Sequence, residues 1–149
     1  MRRWGSANVA VVAADASRPP FRGAFDSVLL DAPCSGLGTL GRNPDIKWKT
    51  TSAEISSADV LRHARRQREL LFSVSGLVKP GGRLVYSVCS TEPEEGEDVV
   101  EGFLQDQYSF RPAPLPDWVS PFSHGRFLRT LPERDGGDGF FVMPLVRRR

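Results

Sequence analysis

The chain has 149 residues, 40% hydrophobic and 26% charged, with a formal net charge of +2. This is the composition of one globular domain able to bury roughly 70% of its unfolded surface, and its near-balanced charge does not by itself call for a polyanionic partner. Two cysteines cannot build a disulfide framework, the two histidines (His63 and His124) lie far from each other and from both thiols so that no zinc spacing exists, and no apolar run approaches a membrane span.

The opening "MRRWGSANVAVVAADAS" places basic residues before an apolar run, but Asp15 interrupts a stretch too short for a signal-peptide core. The expected setting is therefore the cytoplasm, with reduced thiols. "NVAVVAAD" (8–15) reads as a first buried strand ending in an acid, and "FDSVLLDAP" (25–33) as a second. "GLGTLG" (36–41) matches a dinucleotide-binding glycine pattern after a strand. However, Asn43-Pro44 follows at once and disfavours the helix whose amino end would hold the phosphates, so the pattern is set aside.

A long helix follows, with Ile55, Leu61, Ala64, Leu71, Val74 and Val78 at helical spacing. Thr51 and Glu54 have capping-box spacing at its start, and Lys79-Pro80-Gly81-Gly82 should stop it. Its "RHARRQR" (62–68) and the closing "RRR" concentrate positive charge, while "EPEEGED" (92–98) concentrates negative charge. The arginines suit either a solvated helix face or an RNA-facing surface.

"GRLVYSVCS" (82–90) is the third strand. Thr91 and Glu94 again have capping-box spacing, so a helix over "EDVVEGFLQD" is expected to start right behind Cys89. Residues 111–137 read as mostly loop with a short strand near Phe110, and "DGFFVMPLV" (138–146) as a closing strand. Strands alternating with helices indicate an α/β sheet, whose ligands bind at the carboxyl ends of the strands. Asp15, Asp31, Cys34 and Cys89 all fall at such ends.

A free cysteine is commonly a small buried hydrophobe. Cys89, at a strand tip before a helix, has the helix dipole to favour its thiolate, although the acids at 92–97 oppose that. Cys34 shares the strand-tip placement in a glycine-containing loop. Asp31 suits either a turn former or an acid that binds a ligand hydroxyl or exchanges a proton.

"DAPCSGLGTLGRNPDIKW" and "LVYSVCSTEPEEGEDVV", in this order with "QRELL" between them and "DGFFVMPL" at the close, resemble the RNA cytosine-5 methyltransferases of the Nol/Nop/Sun family over nearly the whole chain. The resemblance implies a Rossmann-like S-adenosylmethionine-dependent methyltransferase fold and methylation of C5 of a cytosine in RNA, with ribosomal RNA as the expected substrate. It makes Cys89 the nucleophile that adds to cytosine C6, and Cys34 the group serving C5-proton removal and release of the enzyme. Asp31 would hydrogen-bond the base edge and lie close to the cofactor, and Asp15 would recognise the cofactor's adenine side. Arg42, Lys47 and Lys49 would contact RNA phosphates, with Trp48 stacking or packing on the sheet. The target base would be extruded from its stack.

The family carries two further strands, with a glycine-rich cofactor turn, before the segment at Asn8. Residues 1–149 are therefore expected to be a partial catalytic domain lacking the first two strands, with 27–31 as an unpaired edge that invites a dimer partner or the missing half. Two other readings stay open: a catalytically inactive RNA-binding remnant, and a thiol redox protein, the latter disfavoured because no C-x-x-C spacing occurs.

Overall fold

A computed structural model describes residues 8–22, 24–48 and 56–149, with only the backbone for Lys47 and Trp48. Strands β1 (Phe25–Asp31) and β2 (Val78–Val88) pair in parallel, and helix α1 (Ser57–Ser75) crosses between them. Helix α2 (Glu97–Asp106) and strand β3 (Phe110–Pro112) follow, then β4 (Ser123–His124), β5 (Phe127–Thr130), a one-turn helix α3 (Pro132–Asp135) and β6 (Phe140–Arg147). The sheet order is β1-β2-β6-β5-β4, with β3 also pairing β6. Strand β6 runs antiparallel to β2, β3 and β5.

Both helices pack on one face of this sheet. Along β2 the fully buried residues alternate, Leu84, Tyr86 and Val88, and their partners Leu145, Met143 and Phe141 on β6 are buried with them. Leu70, Leu71 and Val74 of α1 and Val99, Val100 and Phe103 of α2 complete the core. Each such side chain contributes about 1.5–3 kcal/mol by leaving water. The strands therefore read as half-buried, with period 2, rather than buried on both faces as their apolar runs suggest.

Several sequence expectations change. Residues 9–15 form no strand: Val9 is 68% exposed and Val11 91%, and among the described residues no strand runs beside them to satisfy their backbone. Only the end of the segment is tied to α1, by Arg66 beside Asp15 (3.5 Å) and by Ser73 Oγ, which donates to the Ser17 carbonyl (2.9 Å). Strand β1 is an edge, as expected, with Leu29 68% exposed, so it is not the buried strand its composition suggests.

The start of α1 is capped by Ser56 and Asp59, whose side chains each accept the other's backbone N–H. Thr51, Glu54 and Ile55 lie outside the described residues. Leu61, expected in the core, is 47% exposed, whereas Val60 is buried. The helix ends at Ser75, before Lys79-Pro80-Gly81-Gly82. Those four residues form an excursion within β2, since Phe25 pairs with Val78 and Ser27 already with Arg83. Gly81 takes a φ of 79° there and Pro80 has no N–H to pair.

No helix begins right behind Cys89. A short 3₁₀ turn, Pro93–Glu95, comes first and α2 starts only at Glu97, with no side-chain cap from Thr91. The region 111–137, expected to be mostly loop, holds β4, β5 and α3.

Gly38 explains the discarded glycine pattern. Its N–H donates to the Cys89 carbonyl (3.1 Å) and its carbonyl accepts the Gly139 N–H (2.7 Å). A Cβ at Gly38 would stand 2.1 Å from the Gly139 carbonyl oxygen, whereas one at Gly137 meets nothing within 4 Å. Gly38→Ala is therefore expected to cost about 3 kcal/mol in urea unfolding, and Gly137→Ala to stay within about 0.5 kcal/mol of the parent.

Candidate active site at the two strand tips

The parallel pairing of β1 with β2 sets Asp31 opposite Ser87, and the Ala32 N–H extends the ladder to the Ser87 carbonyl (2.9 Å). Both chains then turn over the same end of the sheet. Cys34 and Cys89 meet there with their Sγ atoms 2.7 Å apart, each thiol partly buried. Burial first, then the hydrogen bond and the charge interaction with Cys89, push the Cys34 thiol up to about 12.

The thiols open into a cavity of about 490 Å³, within the range of small-ligand sites. Its other walls include Asn43 from the loop after Cys34, and Asp59, Arg62 and His63 from the first turns of α1. Arg62 forms an ion pair with Asp59 (2.6 Å). One end of the arginine-rich stretch thus faces the cavity rather than only solvent, a placement sequence reasoning missed.

Beneath the thiols lies a polar network that the sequence also concealed. Glu95 is fully buried. Its Oε1 accepts the Ser35 backbone N–H (2.9 Å) and Gln67 Nε2 (2.8 Å), and its Oε2 accepts Ser35 Oγ (2.5 Å). Gln67 Nε2 also donates to the Pro33 carbonyl (3.0 Å). Tyr86 Oη donates to the Glu95 carbonyl (2.6 Å), and burial pushes its phenol above the usual range. The signal for Gln67 was present: an amide in register with Val60, Leu71 and Val74 on the apolar stripe of α1. Glu95 carried none, since it stands in an acidic run that reads as surface.

The other sequence-derived site residues are more dispersed. Asp31 is exposed at the tip of β1 and is not among the residues lining the thiol cavity. Asp15 is exposed in an irregular segment instead of at a strand tip. The Ser17 N–H (2.8 Å) holds its carboxyl below the usual range, and Arg66 stands 3.5 Å away. Arg42 is exposed and paired with Asp138. Lys47 lies in the 3₁₀ turn Pro44–Trp48, and Lys49 is outside the described residues. Among the described residues no group of three potential ligands could hold a metal ion, and no helix is long and apolar enough to cross a membrane.

The profile of the family described as "16S rRNA methyltransferase RsmB/F" matches residues 1–146. A "Probable ribosomal RNA small subunit methyltransferase B" of Synechocystis is 42% identical over 135 residues, which cover 87% of this chain and 29% of the relative. The "Ribosomal RNA small subunit methyltransferase B" of Salmonella newport is 40% identical over 124 residues, covering 83% of this chain and 27% of the relative. Among solved structures, NSun6 from Pyrococcus horikoshii with SFG superposes with a TM-score of 0.77 at 27% identity, over 96% of this chain and 35% of that one. The chain thus spans under a third of the curated relatives it matches, and its mixed sheet is part of a Rossmann-like methyltransferase fold. It belongs to the 16S rRNA methyltransferase RsmB/F family.

Proposed function

We propose that residues 1–149 are the cysteine-bearing part of a catalytic domain that methylates C5 of a cytosine in ribosomal RNA, using S-adenosylmethionine. The observation that carries this reading is the contact of two thiols, from separate strand tips, at the mouth of a cavity. An RNA-binding remnant alone does not account for that pairing. The need for reduced thiols assigns the protein to the cytoplasm.

Cytosine C5 is a poor nucleophile. Addition of the Cys89 sulfur to C6 forms a C–S bond, moves the ring electrons toward C5 and gives that carbon enamine character. The cofactor supplies the electrophilic methyl group that C5 then takes. Removal of the C5 proton and expulsion of the Cys89 sulfur restore the aromatic base.

Cys34 suits the proton-removal step because its proton affinity is tied to its neighbour. Burial raises it most, and the side-chain hydrogen bond and charge interaction with Cys89 raise it further. Once the Cys89 sulfur is bonded to carbon the interactions with it that raise the Cys34 thiol weaken; Cys34 would then release its proton to solvent in the cavity and, as the thiolate, take the C5 proton as the Cys89 sulfur leaves. Asp31 would hydrogen-bond the base edge, while Arg42, Lys47 and Lys49 would meet backbone phosphates.

The residues present fit the cofactor only in part. Asp15 and Asp31 offer exposed, acceptor-only carboxylates suited to amine and hydroxyl donors, but the thiol cavity includes neither of them. A second polypeptide portion, joined to this one or complementing it, would supply the remaining wall beside the free edge of β1. Titration of the 149-residue chain with S-adenosylmethionine, alone and with the amino-terminal portion of the Synechocystis relative, tests this. Saturable binding only in the mixture is expected, and no binding in either condition would overturn the reading.

In the complemented protein, Cys89→Ala should abolish methyl transfer to ribosomal RNA, and Cys34→Ala should accumulate a covalent protein–RNA adduct visible on a denaturing gel. An adduct with Cys89→Ala instead would reverse the two roles. The folded chain also makes a pH prediction. Alkylation of Cys34 by iodoacetamide should rise about tenfold per pH unit from about pH 7 to 10 without a plateau, whereas the urea-unfolded chain should level off near the ordinary thiol value. Between 9.0 and about 12 the unfolded thiol binds fewer protons than the folded one. The stability this group contributes is thus fully present below that interval and declines as pH rises through it, which unfolding midpoints at stepped pH will show.

A further inference from the structure

We propose that Glu95 is a positioning residue for the thiol pair: its buried carboxylate grips the loop on either side of Cys34 and so keeps the Cys34 sulfur against Cys89. The proposal rests on the reading of these two cysteines as the reactive pair. Glu95 touches neither sulfur and acts through Ser35 and Gln67.

A fully buried carboxylate is expensive unless its oxygens are well satisfied by hydrogen bonds. Among the described residues no lysine or arginine forms an ion pair with Glu95. Its partners are three neutral donors, two of them on Ser35, the residue that follows Cys34. The third, Gln67, also holds the carbonyl of Pro33, the residue that precedes Cys34. The chain is therefore fastened immediately before and immediately after the thiol by one Glu–Gln unit. On the other side, Ser35 Oγ lies 3.4 Å from the Oγ of fully buried Ser90, which follows Cys89 and accepts the Glu92 N–H (3.2 Å). The same unit thus reaches both cysteine loops.

Residue chemistry explains why an acid stands there. Ser35 N–H, Ser35 O–H and the Gln67 amide all donate, so the central group must only accept. A glutamine at 95 would keep one acceptor oxygen but turn an NH₂ toward a donor, and an alanine would leave all three donors buried and unpaired.

The test measures sulfur-to-sulfur placement directly and needs neither cofactor nor RNA. Diamide takes one proton and one electron from each thiol, its N=N bond becoming HN–NH while a single S–S bond forms between Cys34 and Cys89. The rate of that intramolecular closure, followed by mass spectrometry, depends on how often the sulfurs meet in bonding geometry. Glu95→Ala should slow it by about ten- to a hundredfold, and Glu95→Gln should restore an intermediate rate. Val99→Ala, a core truncation on α2 outside the network, should lower the urea midpoint and leave the rate unchanged.

A folded Glu95→Ala chain that closes as fast as the parent would overturn the proposal, as would equal slowing by Val99→Ala. If Glu95→Ala does not fold, Ser35→Ala decides. It removes the 2.5 Å link while leaving Glu95 two donors, and it should slow closure several-fold; an unchanged rate counts against the proposal. Loss of methyl transfer in the complemented protein leaves this result standing, and unchanged closure leaves the methylation reading standing, so the two failures are distinguishable.

Discussion

The parallel register of β1 on β2 is the constraint on which the site depends. With Asp31 opposite Ser87, the chain leaves both strands at the same height and has only a few residues in which to bring two thiols together. A slip of one residue would turn Leu30 out of the core and swing the Cys34 loop to the other face. The burial of Leu30 beside Tyr86 therefore fixes more than packing: it sets the separation of the two sulfurs. In such a frame neither cysteine loop chooses its position alone.

On that frame two different devices hold the loops. One is made of backbone: Gly38 bridges the Cys89 carbonyl and the Gly139 N–H, and it does so only because neither glycine carries a Cβ. The other is made of side chains and centres on a buried carboxylate. Such networks are costly when incomplete, so a fully connected one specifies a single arrangement of the groups around it. Between them the two devices leave the thiols partly open to a cavity while the residues on either side are held.

The thiol pair of the candidate site was legible in the sequence, because strand-tip placement depends on short local patterns, whereas Asp15, Asp31 and Arg42 do not join the cavity. An apolar run followed by Asp-Ala-Pro-Cys, and another followed by Cys-Ser, each announce a strand and a turn, and both strands are present where the runs lie. What was not legible depends on neighbours. "NVAVVAAD" has the composition of a strand, but a strand requires a partner for its hydrogen bonds, and none adjoins it among the described residues. Lys79-Pro80-Gly81-Gly82 has the composition of a helix stop, yet it serves as an excursion inside a strand, since turn residues mark a bend without saying which element contains it. Gln67 and Glu95, far apart in the chain, acquire meaning only once α1 and the turn after β2 meet. "GLGTLG" shows the same limit in reverse: its middle glycine, Gly38, is required, but by Gly139 rather than by a phosphate.

The central place of β6 has a consequence for the order in which the protein can assemble. This strand pairs with β2, β3 and β5, and the turn before it carries Gly139, so it joins the parallel pair to the later strands. During synthesis β1, α1 and β2 emerge before β6, with both cysteines already in the chain but without the strand that closes the sheet beside β2. Until β6 inserts, the cysteine loops lack one of their clamps, and the apolar edge of β2 lies open to any other strand. The nascent chain therefore passes through an interval in which its two thiols are least confined, and a chaperone or a reducing environment matters most before β6 is made.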